Sequence, residues 1–211
     1  MNESRLREQI CATAKSLFER GLTHGSTGNI SARLEEGWLL TPTGSSLGNL
    51  DPARLSKLDW SGKLLSGDPP SKENFLHLAV YEERAKSGAV IHLHSTHSVA
   101  VSLLDDVNPE DVLPPLTAYY VMRIGTLPLI PYFAPGDMKL AAAVRAQASR
   151  HHAVLLANHG PVVAGSSLAA ASDAVEELEA TAKIHLMLHG RNIRPLTSEQ
   201  CDDLRQRFPT S

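Results

Sequence analysis

The chain has 211 residues, 42% of them hydrophobic and 20% charged, with a formal net charge of -3. That apolar content can bury a core and excludes a disordered chain. The near-neutral balance excludes a protein whose main work is gripping nucleic acid, which needs a basic face, and supplies no polybasic membrane signal. No apolar run approaches the roughly 20 residues of a membrane span. Cys11 and Cys201 stand far apart without CxxC spacing, so neither a disulfide framework nor a thiolate metal site is expected. Residues 1–5 open an amphipathic pattern rather than a leader. A single domain over residues 1–211 with a cytoplasmic location is the expectation.

In chain order, Leu6, Ile10, Ala14, Leu17 and Phe18 recur at helical spacing, with Gly21 as a stop. A small-residue loop from Thr23 to Asn29 follows. Ile30 to Arg33 and Trp38 to Thr43 read as strands around a turn at Glu35-Glu36-Gly37, and Thr43-Gly44-Ser45-Ser46 is a second small-residue loop. Leu55 to Trp60 and Lys63 to Leu65 suggest a hairpin about Ser61-Gly62. After the break at Gly67-Asp68-Pro69-Pro70, a helix is predicted from Glu73 to Glu83. Ala89 to His94 is a predicted strand, and another helix starts near Thr96. Leu127 to Tyr132 carries two prolines, which predicts an edge or irregular strand. Met138 to Ala148 is helical, Ala153 to Ala157 and Pro161 to Ala164 are buried strands, and a long helix from Leu168 is closed by Gly190. The pattern gives an α/β fold with a central mixed sheet and flanking helices.

The chemistry starts with His92-Leu93-His94. On a strand, residues i and i+2 point to one face, placing two imidazoles roughly 7 Å apart along the chain. Buried without partners they would be costly, and a cation removes that cost. A third histidine stands in Asn158-His159-Gly160, after the next buried strand. Three imidazoles with open positions is the pattern of a catalytic zinc. His97 falls one turn beyond His94, as outer support or simple packing. His24 is a possible substrate contact, His77 reads as structural, and His151, His152, His185 and His189 read as surface or helix-end residues. Glu73 stands at the N-terminus of the predicted helix, where a lone carboxylate is ordinarily a cap. Gly28-Asn29, Thr43-Gly44-Ser45-Ser46 and Ser71-Lys72 offer hydroxyls, amides, backbone N–H groups and one positive charge, which suits a phosphate. There is no Walker A or Rossmann glycine signature.

Gly28-Asn29, Thr43-Gly44, Ser71-Lys72-Glu73, the His92 to His97 run and Asn158-His159-Gly160, in this order from about residue 4 to 208, together resemble the class II aldolase/adducin family. The resemblance implies an α/β/α sandwich with a mainly antiparallel sheet. It further implies a homotetramer with metal sites at subunit interfaces. Carried over by position, His92, His94 and His159 would bind Zn2+, or Mn2+ or Co2+ in its place. Glu73 would be the acid/base and a further ligand. Asn29, Thr43, Gly44, Ser71 and Lys72 would hold substrate phosphate. A tyrosine donor reaching from a neighbouring subunit would be Tyr120, with Tyr119 as fallback. Within the family, Ser71-Lys72-Glu73 and the stretch from Ala118 to Tyr132 most resemble 3-oxo-tetronate 4-phosphate decarboxylases. Fuculose-phosphate aldolases usually carry serine at the place of Lys72, and pentulose-phosphate 4-epimerases aspartate at the place of Glu73. The implied reaction turns a phosphorylated four-carbon sugar acid into dihydroxyacetone phosphate and CO2 through a metal-bound enediolate. A sugar-phosphate aldolase and a non-catalytic adducin-like scaffold are the alternatives.

Overall fold

The computed structural model describes residues 2–134 and 136–208. Helix α1 (Glu3–Glu19) starts where the Asn2 side chain accepts from Ser4 N at 3.0 Å. It buries Leu6, Ile10, Ala14 and Leu17, a stripe at helical spacing. Strands β1 (Asn29–Leu34) and β2 (Gly37–Leu40) form the predicted hairpin. Strands β3 (Ser56–Leu58) and β4 (Leu64–Ser66) form the next one, at the sheet edge. Then come α2 (Asn74–Glu83), β5 (Ala89–His92), α3 (Thr96–Val101) and α4 (Ala118–Arg123). The chain closes with β6 (Leu129–Ile130), α5 (Lys139–Ala148), β7 (Ala153–Leu156), β8 (Gly160–Gly165), α6 (Leu168–Leu188) and α7 (Ser198–Arg207).

Among the described residues, eight strands form one sheet in the order β4-β3-β2-β1-β5-β8-β7-β6. All neighbours are antiparallel except β6 and β7. The sheet is therefore mixed and mainly antiparallel. Side-chain alternation feeds two apolar layers. Ile30, Ile91, Leu155 and Val163 pack with α1 and α6, while Trp38, Val90, Val154 and Val162 pack with α2 and α5. The result is an α/β/α sandwich with β5 buried at its centre. Among the described residues, no helix is long and apolar enough to cross a membrane.

Three differences from the predicted elements have physical causes. Strand β5 ends at His92, so His94 lies beyond it, in the connection to α3. The last pairing there is Leu93 N to Pro161 O at 3.3 Å, since the partner chain turns away at His159. The predicted edge strand shrinks to Leu129 and Ile130, held between Pro128 and Pro131. Helices α4 and α7 are absent from the prediction. Helix α7 buries only Cys201 among its described residues and so shows almost no apolar stripe. Its legible signal is the capping box of Thr197 and Gln200.

Candidate active site

The site lies where β1, β5 and β8 meet the start of α2. Asn29 opens β1 and is paired across the ladder with His92, the last residue of β5. His159 sits in the turn into β8. Asn158 adopts φ 60 and Gly160 φ 151, conformations that asparagine tolerates and glycine favours. A Cβ on Gly160 would lie 2.2 Å from the Leu93 carbonyl oxygen, so the Asn-His-Gly turn packs directly on the backbone between His92 and His94. Gly28 plays the same part on the other side, where a Cβ would meet the His92 carbonyl at 2.9 Å.

The imidazole centroids of His92, His94 and His159 are 4.6 to 5.0 Å apart. Glu73 joins them, with Oε1 3.1 Å from His159 Nε2 and Oε2 3.5 Å from His92 Nε2. Glu73 stands at the N-cap position of α2 but makes no side-chain cap bond. The capping role is thus overturned, because the carboxylate turns inward to Asn29 Nδ2, which donates at 2.7 Å. Burial pushes the Glu73 carboxyl up, but the His159 hydrogen bond, the adjoining His92 ring and the Asn29 hydrogen bond outweigh it and hold it below the usual carboxylate range. Burial pushes His92 down, and burial beside His92 and His159 pushes His94 down to about 3.

These residues suit a divalent cation. One donor atom from each of Glu73, His92, His94 and His159 falls within 4.8 Å of the others. The Pro161 carbonyl, 2.8 Å from His92 Nδ1, can only accept. It fixes the proton there and leaves the Nε2 lone pair facing the cluster. Three imidazoles, one buried and two half-buried, aimed at one point beside a carboxylate are the donor set a metal requires.

The predicted anion loops divide. Ser71 is buried and joins the cluster, its Oγ accepting from Asn29 Nδ2 at 3.2 Å. Thr43 N bonds Pro69 O at 3.0 Å, and Pro42 and Pro70 form an isolated bridge, so the Thr43-Gly44 loop is tied to the segment before Ser71. Thr43, Gly44 and Lys72 are exposed. Thr43 and Gly44 line a cavity of about 330 Å³ together with Ser45, Asn49, Arg54 and Asp68.

Tyr120 does not join the cluster of its own chain. Its ring is fully buried in the apolar core that α1 and α6 share, and its hydroxyl meets no hydrogen-bond partner among the described residues. Burial raises its phenol well above the ordinary value. Its neighbour Tyr119 is 59% exposed. It borders a charged cavity of about 650 Å³ between the end of α1 and α6, which His97, Arg123 and Glu179 also line. His97 Nδ1 is 2.7 Å from Glu179, so it supports the start of α3. His24 is exposed. His152 is not a plain surface residue, since its Nε2 donates to Arg123 O at 2.7 Å. Sequence reasoning missed the contact between His77 and Asn29, which lie 48 residues apart on separate elements and share no spacing signal.

Residues 8–186 match the family described as Class II Aldolase and Adducin N-terminal domain. The chain is 52% identical over 186 residues to a 3-oxo-tetronate 4-phosphate decarboxylase of Cupriavidus necator, covering 88% of this chain and 86% of that protein. It is 34% identical to an L-fuculose phosphate aldolase of Haemophilus influenzae, covering all of this chain and 96% of that protein. It is similar to the crystal structure of YgbL from Escherichia coli, with a TM-score of 0.94 and 48% identity, covering 96% of this chain and 99% of that one.

Proposed function

Because the chain belongs to the class II aldolase and adducin N-terminal domain family, we propose that it is a carbon–carbon lyase, a metal-dependent 3-oxo-tetronate 4-phosphate decarboxylase acting as one domain over residues 1–211. The observation that carries this reading is the difference in likeness, 52% to a decarboxylase against 34% to a fuculose phosphate aldolase. The products are dihydroxyacetone phosphate and CO2.

His92, His94, His159 and Glu73 are the ligands, and Zn2+ is the expected ion, with Mn2+ and Co2+ as substitutes of similar ligand taste. When bound there, the ion supplies Lewis acidity at the ketone oxygen, where negative charge develops as CO2 departs. Ser71, Thr43, Gly44 and Lys72 hold the phosphate with hydroxyl, backbone N–H and ammonium donors, and Asn29 joins them by turning the amide hydrogen it gives Ser71 to the phosphate while keeping its bond to Glu73. That grip sets which carbon lies against Glu73, so binding energy far from the reacting bond fixes its geometry. Glu73 delivers the proton that replaces the lost carboxylate at carbon 2. It rests as an anion and is loaded from solvent through its partly exposed edge. The donor reaching from a neighbouring subunit of a homotetramer is Tyr119, whose exposure leaves it free to do so, whereas Tyr120 is committed to the core. A cytoplasmic location completes the reading.

The test is a coupled assay for dihydroxyacetone phosphate with 3-oxo-tetronate 4-phosphate, with and without a chelator. Metal-dependent formation of the triose phosphate and CO2 is expected. Aldehyde release from fuculose 1-phosphate without decarboxylation would establish the aldolase instead.

A further inference from the structure

His77 on α2 takes no part in the reaction as described, yet both of its ring nitrogens are engaged in a fully buried chain of hydrogen bonds. Nε2 lies 2.5 Å from Asn29 Oδ1, and Nδ1 lies 2.7 Å from Ser31 Oγ. Ser31 Oγ in turn is 2.9 Å from the Tyr81 hydroxyl. The direction of each bond follows from the one before it. An ionised Glu73 can only accept, so Asn29 turns its NH2 group towards Glu73 and Ser71. The Asn29 carbonyl then faces His77, and Nε2 must carry the hydrogen. Nδ1 of the neutral ring is left as an acceptor, so Ser31 donates to it and accepts from Tyr81. Burial pushes His77 down to about 3, which keeps the ring neutral. Trp38 stacks on it, with centroids 6.2 Å apart and planes 15° apart.

We propose that His77, backed by Ser31 and Tyr81, is a positioning residue that sets the amide orientation of Asn29 and thereby the aim of Glu73 at the cation site. A flipped Asn29 would set its carbonyl oxygen against the Glu73 carboxylate, and the His77 Nε2–H opposes that flip. The proposal deepens the decarboxylase reading and rests on it for its kinetic arm alone.

The first measurement is 15N NMR of the histidine-labelled full chain loaded with Zn2+. A neutral His77 with hydrogen on Nε2 is expected at neutral pH; hydrogen on Nδ1, or an imidazolium, would overturn the relay. The second compares His77→Phe and His77→Gln, alone and combined with Asn29→Ala, in Co2+ affinity and in kcat. Loss of an outer partner of a ligand typically costs about 10- to 100-fold, so His77→Phe should lose at least about tenfold in both. Gln, which can donate from a similar reach, should recover most of it. In the Asn29→Ala background, His77→Phe should add less than about threefold, because the two act through one contact. Additive losses, or no recovery by a folded His77→Gln, would overturn the proposal. If the unaltered chain proves inactive on the oxo-acid phosphate, the decarboxylase reading fails, while the NMR and Co2+ arms still decide the relay.

Discussion

Replacing Gly160 by alanine perturbs a close backbone contact between the two halves of the histidine cluster. The added Cβ would lie 2.2 Å from the Leu93 carbonyl oxygen, against an unstrained separation of roughly 3.5 Å. The β8 turn and the His92-Leu93-His94 segment must therefore part by about 1 Å. His159 adjoins one side of that contact and His92 and His94 flank the other, so the ligand atoms separate by a comparable amount. Coordination distances tolerate only about 0.2 Å, and a misplacement of about 1 Å costs on the order of 10²-fold. Gly160→Ala should thus lower Co2+ affinity and kcat about 10²-fold each. Backbone strain and crowding together should cost roughly 3 kcal/mol of stability. Chelator competition and thermal unfolding measure these two effects. Gly190→Ala is the control, since a Cβ there meets nothing within 4 Å; its metal affinity should be unchanged. A folded Gly160→Ala protein that binds Co2+ as tightly as the parent would refute the reasoning.

Other expectations follow from the same geometry. Glu73→Gln should keep the fold, hold the metal through the three imidazoles with at least about tenfold weaker affinity and lose about 10²-fold in turnover, read by metal titration alongside the coupled assay; unchanged turnover removes Glu73 from proton transfer. Tyr120→Phe deletes a buried hydroxyl that no described group meets, so stability should hold or rise by about 1 kcal/mol with activity intact, whereas Tyr119→Phe should slow turnover. The reverse pattern in paired assays would restore Tyr120 to the mechanism. Glu179 accepts from His97 N, His97 Nδ1, Ser98 N and Ser98 Oγ at 2.7 to 2.9 Å, so Glu179→Ala should destabilise by about 2 kcal/mol; an unshifted urea midpoint would contradict that. His77 is lowered from 6.5 to about 3 by burial. The unfolded chain then binds the extra proton first, so stability should fall as pH drops from 6.5 towards 3. His77→Gln should flatten part of that slope in urea titrations, and an identical slope would count against a buried neutral ring.

The regular elements were legible because their apolar residues repeat at the period of the structure they form. The Leu6-Ile10-Ala14-Leu17 stripe and the continuous apolar run of β7 are of this kind. Helix α7 was not, since a helix with one buried residue presents no stripe. The metal-type cluster was legible because His92, His94 and His159 flank buried strands, although His94 reaches the cluster from beyond the strand end, not from its face. Glu73 looked like an ordinary cap in isolation, and its role emerged only from the motif order. Counting along the chain from His94 could not separate Tyr120 from its fallback Tyr119. On helix α4, adjacent tyrosines point in different directions, and only the burial of one and the exposure of the other separates them. The His77 relay joins positions 46 to 50 residues apart, a distance that local periodicity does not report.

The pairing of Asn29 with His92 has a bearing on how such a chain tolerates insertions. Because alternate residues of a strand face opposite layers, one extra residue within β5 would exchange the places of Val90 and Ile91 and carry the first imidazole to the wrong side of the sheet. A residue added at the Ser61-Gly62 bend, three strands away at the margin, would leave that alignment untouched. Length variation should therefore collect at the β3–β4 tip, while the central ladder keeps a fixed count.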